Sequence, residues 1–125
     1  MKKTDLEKYS ELNEEFIREC DRVVSIIKNM PEYENDIEFA DRFIIDGNTV
    51  DWEGDEYWSR GGHEYHSGCF PAEYLTMDDY ELKALVNEKV TEYINAKMER
   101  SKKRAEEEKE ARRAEYEKLK KEFEG

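Results

Sequence analysis

The stretch DIEFADRFIIDGNTVDWEGDEYWSRGGHEYHSGCFP, residues 36–71, decides the fold because its apolar and polar side chains follow a period of two. That period is typical of half-buried β-strands, whose successive side chains point to opposite faces of a sheet. Ile37, Phe39, Phe43 and Ile45 would therefore share the inner face of a first strand.

A second strand follows the dipeptide Asp46-Gly47. This pair predicts a tight turn, since glycine adopts positive φ at no steric cost. Val50 and Trp52 then continue the apolar face. Gly54 predicts a bulge in the same strand.

A third strand follows the next turn signal, Gly61-Gly62, and covers residues 63–70. Three strands joined by short turns predict an antiparallel meander. Helical patterns flank this meander on both sides, so the expected fold class is α+β.

The N-terminal helix is predicted over residues 4–29, with Pro31 ending it. Thr4 and Glu7 stand at the spacing of a capping box. The apolar residues recur every three or four positions, as expected for an amphipathic helix. They are Leu6, Tyr9, Leu12, Phe16, Cys20, Val23 and Ile27.

A second helix begins after the polar residues 76–79, which offer helix caps. Its apolar stripe is Leu82, Leu85, Val86, Val90, Tyr93, Ile94 and Met98. Beyond this stripe the chain is mostly Glu, Lys, Arg and Ala, which are strong helix formers. We therefore expect a compact acidic α+β domain over 1–98 and a solvated charged helical arm, continuous with the helix, over 99–125. Its apolar residues, candidates for self-association or partner docking, are Tyr116, Leu119 and Phe123.

The charge and the apolar content of the chain exclude several classes of function. Lys and Arg total 21 and Asp and Glu total 33, a formal net charge of −12 over 125 residues. Direct nucleic-acid binding is not expected, because it requires clustered basic side chains. No apolar run reaches the roughly 18 residues of a membrane span. After two lysines the N-terminus turns acidic and amphipathic at Asp5-Leu6-Glu7, where a signal peptide would be apolar, so we expect a cytoplasmic protein.

His63, His66 and Cys69 form the pattern His-x-x-His-x-x-Cys, which resembles a spacing of zinc ligands. On a strand, however, His66 faces away from the other two residues. We therefore expect no metal or cofactor at this segment. Thiol catalysis is also disfavoured, because a catalytic thiol needs a base beside its sulfur. Cys20 in particular lies in the apolar stripe of the first helix. We expect no enzymatic activity.

The remaining candidate is a surface that combines carboxylates with aromatic rings. Residues 31–58 contain ten acidic side chains and one basic side chain. Exposed aromatics often anchor protein interfaces, and a row of carboxylates could bind a basic groove as a nucleic acid would. The alternative interpretation is that the charges only solubilise the sheet and protect its edges. The candidate partner-binding residues are Asp51, Trp52, Glu53, Asp55, Glu56, Tyr57 and Trp58.

Part of the chain resembles a set of small uncharacterised bacteriophage proteins. The likeness rests on WSRGG at 58–62, FPAEYL at 70–75, MDD at 77–79 and the charged helix closing on KEFEG at 121–125. The resemblance carries no assigned activity and no site residues. It implies a phage setting, in which small acidic proteins without catalytic motifs often block host enzymes or defence complexes.

Three functions from different classes follow from these observations. The leading one is a non-enzymatic protein that binds and inhibits a host protein with a basic surface, a defence or nucleic-acid-handling component. The second is an oligomeric protein that sequesters a nucleotide signal, with Trp52, Trp58 and Tyr65 stacking on the base. The third is an assembly protein that dimerises through its C-terminal helix. The residues that would contact a phosphate or ligand in the second case are Arg42, Arg60, His63, Tyr65 and His66.

Overall fold

The structure is a computed structural model that describes residues 1–124. Helix α1 spans Lys3–Ile27 and helix α2 spans Asp79–Glu124. The sheet between them consists of strands β1 (Arg42–Asp46), β2 (Thr49–Tyr57) and β3 (His63–Pro71). These elements confirm the predicted α+β class. Gly125, the last residue of the predicted arm, lies outside the described residues.

The sheet is the predicted antiparallel meander, with strand order β1-β2-β3. The β1–β2 turn places Gly47 at a φ of 59°, and the β2–β3 turn places Gly61 at a φ of 85°. Both values lie in the left-handed region that glycine adopts without strain. The two glycine turn signals therefore set the topology.

One buried apolar cluster joins α1, the sheet and the start of α2. Helix α1 contributes residues at helical spacing, and β2 contributes Val50 and Trp52 as predicted. Phe70 of β3 and Leu82 of α2 are fully buried. The α1 residues in the cluster are Cys20, Val23, Val24 and Ile27.

The chain divides into two compact units, Met1–Val90 and Thr91–Gly125. In the first unit, Leu82 and Val86 of α2 are buried. In the second unit, every residue from 91 to 123 is exposed. The predicted apolar stripe of this helix is therefore buried only at its beginning. Neither helix, over residues 1–124, combines the length and apolar character needed to cross a membrane.

The first half of α1 differs from the prediction in two ways. Leu6, Tyr9 and Leu12 continue the apolar stripe, yet each is more than half exposed. The helix also begins one residue early, so its N-cap is Lys2, and no side chain caps it. The predicted capping box is wrong because Thr4 lies inside the first turn rather than before it.

The first strand is shorter than predicted. Ile37 and Phe39 belong to a short 3-10 helix, Ile37–Phe39, whose amides bond locally: Phe39 N–H donates to the Asp36 carbonyl over 3.2 Å. Only Arg42–Asp46 pairs with β2, and Ile45 is exposed. Residues 37–39 alternate as a strand would, but they form hydrogen bonds within the 3-10 helix instead of the expected hydrogen bonds to β2.

Gly54 explains why this 3-10 helix can lie against β2. A Cβ at Gly54 would overlap the carbonyl oxygen of Phe39. The predicted bulge is wrong, because Gly54 pairs in regular register with His66. Glycine occurs here because another backbone segment approaches the strand closely.

Arg22 ties α1 to the segment that leads into α2. Its guanidinium donates to Asp79 over 2.8 Å and to the Met77 carbonyl over 3.0 Å, and it pairs with Glu19. Asp78 then caps α2 by accepting from the Glu81 amide over 2.8 Å, as the polar cluster predicted. These bonds fix where the second helix begins.

Gly54→Ala should lower the free energy of unfolding by about 1–3 kcal/mol, because the new methyl group must displace the Phe39 backbone. Urea denaturation followed by far-UV circular dichroism measures the change. Ser67→Ala on the exposed side of β3 is the matched control and should change stability by less than about 0.5 kcal/mol. Equal stability of the two variants would contradict the close approach at Gly54.

Candidate functional site

The sheet has an outer face that lies opposite the buried cluster. Residues that pair directly across antiparallel strands point to the same side, so the register defines this face. Its central strand, β2, contributes Asp51, Glu53, Asp55 and Tyr57, none of which is buried. The flanking strands contribute Arg42, Ile44, His63, Tyr65, Ser67 and Cys69.

A hydrogen-bonded network covers the middle of the outer face. Arg42 Nε donates to Glu53 over 2.6 Å, and Arg42 also approaches Asp55 at 3.4 Å and Asp41 at 3.6 Å. The hydroxyl of Tyr65 donates to the other oxygen of Glu53 over 2.5 Å. The Tyr65 hydroxyl and, after it, Arg42 lower the pKa of Glu53 below its usual range.

The carboxylates of β2 form a row along the outer face. Asp51, Glu53 and Asp55 alternate with inward residues, so successive members lie about 6.6 Å apart, twice the rise per strand residue. Arg42 partly compensates Glu53 and Asp55, whereas Asp51 forms no ion pair within the described residues. The row therefore keeps a net negative charge.

Aromatic rings border this row at one end. Tyr57 is 75% exposed and stacks on His63 with the ring centroids 5.6 Å apart. Tyr65 and Trp58 are also about half exposed. Rings held by neighbouring side chains lose little conformational entropy on contact with a partner.

The structure divides the seven predicted partner-binding residues between the two faces. Asp51, Glu53, Asp55 and Tyr57 lie on the outer face, and Trp58 lies in the adjoining turn. Trp52 is only 3% exposed and belongs to the core, and Glu56 points to the inner side. Strand alternation already places these two residues opposite Asp51, so the signal for the division was in the sequence.

The five alternative ligand-binding residues are divided too. Arg42, His63 and Tyr65 share the outer face, Arg60 lies in the exposed β2–β3 turn, and His66 lies on the inner face. A depression of about 340 Å³ includes Arg42 and Tyr65. The Arg42 guanidinium already binds the carboxylates of Glu53 and Asp55, which disfavours an anionic ligand in this depression.

The surroundings of His66 could not be predicted from its own strand. Its Nδ1 donates to Asp36 Oδ1 over 2.5 Å, and its Nε2 lies 3.2 Å from Glu56 Oε2. The ring stacks on Phe39 at 4.8 Å. The Asp36 carboxylate, followed by that of Glu56, raises the pKa of His66, and partial burial opposes this effect.

The two cysteines are free thiols in different environments. Cys20 is buried as expected, and burial raises its pKa to about 12. Cys69 is exposed on the outer face, and its pairing partner Asp51 is an acid. His66 points to the inner face, as predicted, so it does not accompany Cys69.

The predicted oligomerisation residues lie in the second unit. Tyr116 is 67% exposed, Leu119 is 49% exposed and Phe123 is 91% exposed. All three apolar side chains are therefore accessible within that unit.

Comparison of the chain with protein-family models, with curated proteins and with solved structures gives no match. The function of the chain is therefore inferred from its own geometry and charge.

Tyr65→Phe should raise the pKa of Glu53 towards its usual value, because the hydroxyl stabilises the charged carboxylate. A pH titration of the Glu53 carboxyl carbon by NMR measures the shift. Tyr57→Phe is the control, since its hydroxyl takes no part in the network, and it should leave the Glu53 titration unchanged. Identical titrations in Tyr65→Phe and in the unmodified protein would exclude the hydrogen bond in solution.

Proposed function

We propose that the protein is a non-enzymatic binding protein whose outer face docks on a basic surface of a partner protein. One observation carries this proposal: Asp51, Glu53 and Asp55 share an uncovered sheet face that exposed aromatic rings border. A partner that presents Lys and Arg would pair with the row of carboxylates. The rings of Tyr57 and Trp58 would supply the apolar contacts.

The network around Glu53 favours recognition by shape as well as by charge. Tyr65 and Arg42 hold the carboxylate in one orientation, so less conformational entropy is lost when a partner binds. Asp51 has no ion-pair partner among residues 1–124 and offers its charge directly. Long-range attraction between the acidic chain and a basic surface would accelerate association at low salt.

The phage setting that the sequence resemblance implies gives this binding a biological purpose. A basic surface on a host protein commonly serves to hold nucleic acid, because phosphate contacts dominate such binding. An acidic face that covers that surface would exclude the nucleic acid by direct competition. The proposed partner is therefore a host defence or nucleic-acid-handling protein, and the proposed effect is inhibition.

Neutralising the row should abolish capture of the partner. The variant Asp51→Asn, Glu53→Gln, Asp55→Asn removes three charges from the outer face while changing no side-chain volume appreciably. The matched control, Glu106→Gln, Glu107→Gln, Glu108→Gln, removes three charges from the second unit. Pull-downs from host extract with quantitative proteomics, repeated from 0.1 M to 1 M salt, compare the three proteins. Over that range the Debye length falls from about 10 Å to about 3 Å.

We expect a partner that the unmodified protein and the control capture at low salt, that high salt releases, and that the outer-face variant does not bind. The purified partner should also lose bound duplex DNA or RNA when the protein is added. Equal capture by the outer-face variant, with circular dichroism confirming that it is folded, would refute the proposal.

Self-association through the second unit is a second candidate function, favoured by the exposure of Tyr116, Leu119 and Phe123. Their spacing of three and four places them on one stripe of a helix. The rest of residues 99–123 is too polar for the sustained apolar seam of a stable coiled coil, so a weak dimer is expected.

Leu119→Lys together with Phe123→Lys should convert such a dimer to a monomer, because two charges would enter the apolar stripe. Sedimentation velocity over a concentration series measures the change. Lys118→Ala with Lys121→Ala, on the side of the same turns away from this stripe, is the control and should leave the dimer intact. A monomeric unmodified protein would remove this candidate.

A further inference from the structure

A compact cluster of donor atoms lies on the inner side of the sheet, at the end away from Phe70. Glu56 of β2 pairs directly with Glu64 of β3, and His66 follows two residues along β3. Strand alternation places all three side chains on the same side. One ligand-type atom from each lies within 4.8 Å of the others.

His66 is held in place by contacts on two sides. Its Nδ1–H donates to Asp36 Oδ1 over 2.5 Å, and its ring stacks on Phe39 with an interplanar angle of 20°. Its side chain is only 11% exposed. Asp36 thus fixes which ring nitrogen carries this proton, and Nε2 points towards Glu56 and Glu64. A histidine that binds a metal almost always donates its other N–H to a carboxylate or carbonyl in this way.

The distances around Nε2 suit a small divalent ion. Nε2 lies 3.2 Å from Glu56 Oε2 and 3.9 Å from Glu64 Oε2. Ligand atoms about 2.1 Å from a common ion lie roughly 3.0–3.4 Å from each other in octahedral or tetrahedral geometry. Glu64 is 58% exposed on its side chain, so a small rotation can bring its oxygen closer.

We propose that His66 Nε2, Glu56 and Glu64 form a binding site for a zinc-type divalent cation, with Asp36 orienting the histidine. One imidazole and two carboxylates match the ligands that Zn²⁺ accepts, whereas Mg²⁺ and Ca²⁺ prefer oxygen ligands alone. Glu56 and Glu64 place two carboxylates beside the ion, and Asp36 adds a third negative charge behind the imidazole, which together favour a cation of charge +2. Water would complete the coordination on the side where Glu64 is exposed.

The proposed site shares only His66 with the pattern His-x-x-His-x-x-Cys of residues 63–69. His63 and Cys69 lie on the outer face, whereas the proposed ligands lie on the inner face. The cluster also includes Asp36, which is 30 residues from His66 in the chain. It is independent of the proposed docking row, since Asp51, Glu53 and Asp55 take no part in it.

Isothermal titration calorimetry of the full chain with ZnCl₂, in mildly alkaline buffer, tests the proposal. The ¹⁵N chemical shift of His66 Nε2 identifies the ligand atom in the same samples. We expect one Zn²⁺ per chain and a large shift at His66 Nε2. Asp36→Asn should weaken binding by about 10–100-fold, the usual effect of removing the group that orients a ligand. Glu64→Gln, which changes a half-exposed side chain and leaves the core untouched, should weaken it by at least about tenfold.

His63→Gln and Cys69→Ser are the matched controls, and both should bind Zn²⁺ as the unmodified protein does. The proposal is overturned if the unmodified chain binds no Zn²⁺ at millimolar concentration. It is equally overturned if either control variant abolishes binding, or if Glu64→Gln leaves the affinity unchanged. MgCl₂ in place of ZnCl₂ should give no heat, and tight Mg²⁺ binding would contradict the assignment of the ion.

Discussion

The contact between the backbone of Phe39 and the bare face of Gly54 is the constraint on which the first unit depends. Without a side chain on Gly54, the 3-10 helix Ile37–Phe39 lies directly on β2. This position buries Ile37 completely and stacks Phe39 on His66. It also brings Asp36 to the imidazole. The absence of a Cβ at Gly54 therefore determines both the packing at this edge of the core and the contact between Asp36 and His66.

Strand β2 explains how so acidic a segment can still build a core. Its inward positions hold Val50 and Trp52, while its outward positions hold Asp51 and Glu53. The same alternation separates the two functional proposals, because the docking row uses one side of the sheet and the cation cluster uses the other. The high acidic content thus divides into groups with different surroundings.

The sequence was sufficient to predict the helix–sheet–helix order and the three-stranded meander. Glycine turns and a period of two are local signals, and Gly47 and Gly61 provided them. The 3-10 helix could not be predicted, because Ile37 and Phe39 also fit the alternation of a strand. The 3-10 helix depends instead on the close approach of Phe39 to Gly54, which is distant in the chain.

The partners of charged side chains were also only partly predictable from the sequence. Nothing near His66 in the sequence indicates that Asp36 is its partner, and Arg22 binds Asp79 across 57 residues. Partners on the outer face were easier to anticipate, since Arg42 and Glu53 are directly paired in the hairpin. Side-chain contacts within a hairpin follow from register, whereas those between separate elements follow from packing.

The two tryptophans provide the protein with two internal fluorescent reporters. Trp52 is nearly inaccessible, and its indole N–H has no hydrogen-bond partner among the described residues. Its emission should be blue-shifted and resistant to aqueous quenchers until the core opens. Trp58 is half exposed in the β2–β3 turn and lies against Gly62, so its emission should be red-shifted and easily quenched. One spectrum therefore distinguishes an event at the rim of the outer face from loss of the fold.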